Sequence, residues 1–320
     1  MFKKLSVALL ATALLGLSGQ AHAETQYPNK PVTLVVPFTP GGLTDVLGRL
    51  IANQLSEKWG TSVVVENKPG GGSSIGAASV AQSKPDGHTV LKGSVGMVTN
   101  PFLMKRLPYE PDSLVPVALV GTAPLVLVVN SNVPVKSVAD MKEHAKANGP
   151  VTFASSGNGS SPHITAEMFS EQSGIEIIHV PYKGTAPALN DLIGGQVAAA
   201  FDTRLTEPYL KEGRLRAIAV ASKERLPALP DVPTFAEAGL PNMQAASWFG
   251  YFVPKGTPEE IRKKLADDIV AVASKPEIQK RIYEIGLEPT VMGTEEFTRF
   301  LESEKARWGG VIQSQGVSIN

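Results

Sequence analysis

Along this chain, short apolar runs rich in β-branched residues alternate with longer stretches of helical periodicity. Val32 to Val36 reads as a buried strand. Leu43 to Lys58 reads as a helix with Val46, Leu47, Leu50, Ile51 and Leu55 on its inner face. Val63 to Val65, Thr89 to Lys92, Val115 to Val120 and Leu125 to Val129 continue the strands, with a helix near Gly76 to Gln82. Val151 to Ala154, Glu176 to Val180, Val197 to Phe201 and Leu215 to Ala221 follow, again with helices between. Strands alternating with helices predict an α/β chain whose sheets are mostly parallel and flanked by helices.

The first 23 residues stand apart from that pattern. Lys3 and Lys4 precede an apolar run from Leu5 to Leu17, and Ala21-His22-Ala23 offers small residues where a signal peptidase reads. The run falls short of the roughly 20 residues needed to span a bilayer. It predicts a cleaved signal peptide and a soluble periplasmic chain starting at about Glu24, not a lipoprotein, because the chain has no cysteine. Removing Lys3 and Lys4 moves the formal charge from 0 to −2, which gives no electrostatic case for holding nucleic acid or an anionic membrane. Without cysteine there are also no disulfides, thiolate metal sites or cysteine nucleophiles.

The remaining length exceeds what one hydrophobic core usually supports, which predicts two lobes. Two segments read as crossings between them: Val128 to Pro134, and Trp248 to Pro258 with Pro254, Gly256 and Pro258. The expected division is 24–128 plus 250–320 for lobe one and 129–249 for lobe two, joined by a two-strand hinge of the kind that lets a clamshell close.

Four strand-end loops have the composition of an anion site. Phe38-Thr39-Pro40-Gly41-Gly42 opens a helix, where adjacent glycines let the backbone approach a ligand and the helix N-terminus offers N–H donors. Asp45 in the first turn is placed to cap N–H groups and to pair with Arg49. Ser155-Ser156-Gly157-Asn158-Gly159-Ser160-Ser161-Pro162-His163 opens another helix with neutral hydroxyl donors, and Pro181-Tyr182-Lys183-Gly184-Thr185 a third. Asp202-Thr203-Arg204 closes a fourth strand. Arg204 either grips a second carboxylate or pairs with Glu207. Trp248, Phe249, Tyr251 and Phe252 either line the cleft or pack near the hinge.

Other patterns carry less. Gly72-Ser73-Ser74-Ile75-Gly76 matches a nucleophile elbow, but several loop residues separate it from the preceding strand, whereas an elbow is a direct turn. His88, His144, His163 and His179 read as isolated, and Glu167 four residues after His163 is explained by pairing rather than metal binding. No catalytic residue, cofactor or metal site is expected.

A family resemblance runs through nearly the whole chain beyond the signal. It rests on Tyr27-Pro28, Lys30-Pro31, Pro37 to Asp45 with Arg49, and Glu66-Asn67-Lys68-Pro69-Gly70. Pro85-Asp86-Gly87, Gly157-x-Gly159-Ser160 with His163, Val180 to Gly184 and Asp191-Leu192 with Gly194-Gly195 follow in order. So do Leu229 to Thr234, Glu237-Ala238-Gly239 and Trp248. These residues resemble the tripartite tricarboxylate transporter receptors, the Bug-type periplasmic solute-binding proteins. The resemblance implies a Venus-flytrap fold, type II-like, that closes on a small carboxylate. It also implies two pincer loops, 38–42 and 155–160, acting through backbone groups and water.

The candidate ligand-binding residues are then Phe38, Thr39, Gly41, Gly42 and Asp45; Ser155, Ser156, Gly159, Ser160 and His163; Tyr182, Lys183 and Gly184; and Asp202, Thr203 and Arg204. Arg204 stands where smaller or apolar residues are usual in the family, which leans toward a ligand with a second acidic group. A monomer that delivers an organic acid to membrane permease subunits is the expected function. The alternatives are a ligand sensor for a sensor kinase and a secreted serine hydrolase using Ser74.

Overall fold

A computed structural model describes residues 27–315; the expected signal peptide lies outside them. Lobe one begins with β1 (Val32–Val36), α1 (Leu43–Trp59), β2 (Val63–Asn67), α2 (Ser74–Ala81), β3 (Thr89–Gly93), α3 (Gly96–Leu103) and β4 (Leu114–Pro124). The second sheet takes β5 (Val126–Asn130), α4 (Val138–Asn148), β6 (Val151–Ser155), α5 (Ser161–Ser173), β7 (Ile177–Pro181), α6 (Thr185–Ile193), β8 (Ala199–Asp202), α7 (Glu207–Lys211) and β9 (Leu215–Val220). The chain then returns through β10 (Ala246–Pro254) to α8 (Glu259–Ala273), α9 (Pro276–Glu284) and α10 (Thr294–Gln315).

The expected alternation yields two five-stranded sheets, ordered β2-β1-β3-β10-β4 and β7-β6-β8-β5-β9. Both are mixed. In each, four strands run one way and one runs against them: β10 in the first and β5 in the second. The reversed strand is in both cases the one that arrives from the other lobe.

The crossings sit a few residues from where proline and glycine suggested. β5 begins at Val126 and pairs with β8 and β9, so the outward exchange of sheets falls at Leu125 rather than in Val128 to Pro134. β10 pairs with β4 from Ala246 onward, so the return falls at Ala245, before Trp248. Residues 126–128 thus pair with the second sheet and 246–249 with the first. Three backbone bonds knit the crossings in a ring: Leu125 N–H to Ala245 O (3.0 Å), Ala245 N–H to Ala221 O (2.9 Å) and Ala221 N–H to Leu125 O (2.7 Å). Pro124 abuts the first crossing, but as the last residue of β4 it sits in extended chain and makes no turn, which is why composition marked the turns beside the crossing instead.

Helix α1 shows how a jaw is fixed. Leu43, Leu47, Ile51 and Leu55 recur at four-residue spacing and are buried, each contributing about 1.5–3 kcal/mol of transfer free energy. Val46, expected inside, is exposed, because it lies a full residue off that stripe. Gly48 lets the helix approach β1 closely, since a Cβ there would stand 3.2 Å from Val36 Cγ2. That contact sets the N-terminus of α1 at the carboxyl end of the first sheet. In lobe two, Phe153, Phe169, Phe201 and Phe235 pack ring against ring with centroids 5.8–5.9 Å apart.

Candidate functional site

The Gly41-Gly42 turn is held from below. Asp45 in the first turn of α1 accepts from Gly41 N–H (3.0 Å), Arg49 Nε (3.1 Å) and Asn67 Nδ2 (2.8 Å), and the same Asn67 amide reaches Phe38 O at 3.0 Å. Burial would raise the Asp45 carboxyl, but these hydrogen bonds and the Arg49 charge outweigh it and hold it below the usual carboxylate range. Asp45 and Asn67 therefore shape the turn. Gly41 has φ +83°, so its place in the turn is one that glycine fills without strain. The first N–H groups of α1, which lack intrahelical acceptors, open onto a cavity lined by Phe38, Gly42, Leu43 and Thr44.

Lobe two faces this jaw with two more helix starts. Ser160, Ser161 and Pro162 bring the N-terminus of α5 to the same cavity, and Thr185 brings that of α6. Ser156, Asp202 and Thr203 complete the lobe-two side, and Ser94, Ser247 and Phe249 close the floor from lobe one. Three helix N-termini thus converge on one small space, each carrying partial positive charge. Asp202 is the acid in that field. Burial pushes its carboxyl up to about 7 against hydrogen bonds from Thr203 that lower it, so it holds its proton in mildly acidic water and can donate.

The jaws stand closed. Thr99 Oγ1 donates to Gly159 O (2.6 Å), Thr39 N–H donates to Lys183 O (3.3 Å), and Ser161 and Ser247 share a hydroxyl hydrogen bond (2.6 Å). The cavity between them is only about 30 Å³, and a second cavity of about 190 Å³, also lined by Phe38 and Ser156, adjoins it toward Gly70–Ser73, Tyr182 and Lys183. A Cβ at Gly184 would stand 2.5 Å from Thr39 Oγ1, and one at Gly159 would stand 2.2 Å from Asn100 Oδ1, so these glycines let the seam close.

A protein-family model, "Tripartite tricarboxylate transporter family receptor", matches residues 47–317. The chain belongs to this family. Protein BugT of Bordetella pertussis is 36% identical over 324 residues, covering 100% of this chain and 99% of that one. Among solved structures, R. palustris Rpa4515 with adipate has a TM-score of 0.87 at 39% identity, covering 91% of this chain and 99% of that one. MatC from Rhodopseudomonas palustris with bound malate has 0.84 at 32%, covering 89% and 100%. The two-lobed α/β fold is that of periplasmic binding proteins, and the chain is a receptor of the Bug type.

Of the expected contacts, the receptor brings Phe38, Gly42, Ser156, Ser160, Asp202 and Thr203 to the central cavity. Tyr182 and Lys183 border the adjoining one, with the Tyr182 hydroxyl committed to Asp191 at 2.6 Å. Thr39, Gly41, Asp45, Gly159 and Gly184 frame the loops and the seam. Ser155 is buried behind the loop, bonded to His179 Nε2 (2.6 Å) and accepting from Gly157 N–H (3.1 Å). His163 accepts from Gly159 N–H at 3.1 Å. Ser94 and Ser247 were not anticipated. Ser94 follows β3 as Ser156 follows β6, so the strand-end rule reaches it, whereas nothing in the sequence marks Ser247.

Arg204 does not line the cavity. Its guanidinium is buried at the edge of the seam, pairing with Glu207, lying 3.6 Å from Glu288 Oε1 and stacking 4.3 Å over the Tyr283 ring. It clasps lobe two to the C-terminal part of lobe one. The histidines expected to be isolated are not all so: the His163 and His179 rings stack with centroids 3.9 Å apart. Burial first, and then the neighbouring His163, pull His179 down to about 3, so it stays neutral. Ser74 begins α2 behind the separate turn Gly71–Ser73, not on a direct strand-to-helix elbow. Among the described residues no helix is long and apolar enough to cross a membrane.

Proposed function

We propose that this receptor captures a small carboxylate between its lobes and passes it, chemically unchanged, to membrane permease subunits from the periplasm. One observation carries the reading: the N-termini of α1, α5 and α6 meet on a single cavity lined by the hydroxyl residues Thr44, Ser94, Ser156 and Thr185, while the Ser160 hydroxyl is given to Gly157 O. Such donors stabilise a carboxylate without a fixed ion pair, so the acid is held and still released. The adipate and malate named with two solved family members belong to the same ligand class. In this reading the Gly42 turn and the Ser156–Ser160 loop take one carboxylate from opposite sides. Protonated Asp202 donates to it, and the cavity widens as the jaws open to admit the acid.

The test is a thermal-shift screen of the protein lacking residues 1–23 against mono-, di- and tricarboxylates and acidic amino acids. Calorimetry and NMR of the recovered ligand then follow for each hit. A ligand that binds only the folded state at a hundred times its dissociation constant adds about 2.7 kcal/mol of stability. A shift with an organic acid recovered intact supports the reading. Turnover of the acid, or no shift with any acid from protein freed of bound ligand by unfolding and refolding, overturns it.

A further inference from the structure

Lys92 lies in β3, and its side chain is wholly buried. Among the described residues its Nζ has no hydrogen-bond partner, and it rests 4.3 Å from the Tyr251 ring centroid and 5.5 Å from that of Phe249. Tyr251 is its cross-strand neighbour, and the Tyr251 hydroxyl is buried and unpartnered too. Phe249, whose ring the amine approaches, lines the central cavity, as does Ser94, two residues beyond Lys92 and just past the end of β3. The amine therefore stands one pleat behind the cleft floor.

We infer that Lys92 is a specificity-determining residue of the cleft, the buried counter-charge against which the number of charges on the captured acid is read. The inference rests on the carboxylate reading above. An unpartnered buried amine costs stability, and an apolar side chain of the same length would fit the site better, so packing does not account for it. Burial alone holds the amine well below its ordinary range. Among the described residues no acid offsets that: Asp45 of α1 is turned to Gly41, Arg49 and Asn67, and Asp268 of α8 to Trp59, Lys58 and Lys264. The ring of Tyr251 supplies only a quadrupole. Anionic charge arriving in the cavity favours the ammonium form of Lys92, so capture shifts its protonation upward, and a dianion gains more from it than a monoanion.

The experiment uses adipate and hexanoate, which share six carbons and differ by one carboxylate, with the receptor and its Lys92→Met variant. Calorimetry in two buffers of different ionisation enthalpy reads both affinity and proton uptake. The expected result is a ratio of hexanoate to adipate dissociation constants that falls about tenfold in Lys92→Met, the scale of one partly screened charge pair. Proton uptake per adipate falls with it. The variant melts higher without ligand, so misfolding does not confuse the outcome. An unchanged ratio, or proton uptake equal to that of the unsubstituted receptor, overturns the role of Lys92 while leaving the carboxylate reading intact. No binding of any carboxylate by the unsubstituted receptor overturns both.

Discussion

Replacing Gly72 by alanine tests the closed seam most directly. A Cβ at Gly72 would lie 1.8 Å from Asn158 O and 2.9 Å from its carbonyl carbon, and both belong to the backbone of the opposite lobe. Neither atom can rotate away, so the contact reaches a tolerable 3.0 Å only if the jaws retreat by at least 1.2 Å. Gly159 adjoins Asn158, and the same retreat carries the 2.6 Å bond from Thr99 beyond hydrogen-bonding distance and loosens the 3.3 Å bond from Thr39 to Lys183. Two such bonds are worth about 0.5–1.5 kcal/mol each, so closure loses about 1–3 kcal/mol and affinity falls about 5- to 150-fold. Gly72 also has φ +57°, and an alanine there costs roughly 1–2 kcal/mol of strain in open and closed forms alike. That share appears in the melting temperature and not in the dissociation constant. Gly213→Ala is the control, since φ is +69° and no atom lies within 4 Å. Calorimetric titration with the acid found by screening, beside small-angle scattering at saturation, is the assay. An affinity within twofold of the unsubstituted receptor, or equal losses in the two variants, would refute the reasoning.

Arg204→Ala releases the clasp to Glu288 and Tyr283, and is expected to weaken mono- and dicarboxylates equally, by several-fold; a selective loss for dicarboxylates in titrations would return Arg204 to the ligand. The Asp202 carboxyl, pushed up to about 7, contributes stability fully below the unfolded value near 4 and loses it as pH rises toward 7. Ionised Asp202 repels a carboxylate, so affinity drops by up to about tenfold per pH unit above 7. Asp202→Asn should flatten that slope in titrations from about pH 5 to 9. His179, held at about 3, lends stability that is present above its unfolded value near 6.5 and is lost as pH falls toward 3. Its ring resonances are expected not to titrate between about pH 5 and 8, and a midpoint inside that range would contradict the stacked, buried geometry.

Much of this receptor was legible before any coordinates. The nine β-branched runs became β1 through β9 within a few residues, because local period and burial agree along them, and the aromatic segment read as a crossing became β10. Gly42, Ser156, Ser160 and Thr203, which line the cavity, were legible because glycine and hydroxyl residues at a strand end have few other reasons to be there, and Phe38 and Asp202 stand beside them in the same strand-end loops. The misses have separate causes. The crossings at Leu125 and Ala245 fall in extended chain with no turn of their own, Ser247 and the His163–His179 stack depend on which element lies opposite, and Val46 was misplaced by reading the helical stripe one residue too wide.

The sequence by itself determined the class of element at each position, the two-lobed α/β plan and the polar chemistry of the loops, since these follow from hydrophobic period and backbone preference within a few residues. Only the tertiary structure decided that Asp45 shapes a turn, that Arg204 clasps the lobes, and that Lys92 stands unpartnered behind the cleft. Each of those roles is an interaction between groups far apart along the chain. A charged side chain acquires its function from the neighbours that satisfy it or leave it alone, and sequence order does not contain that distance.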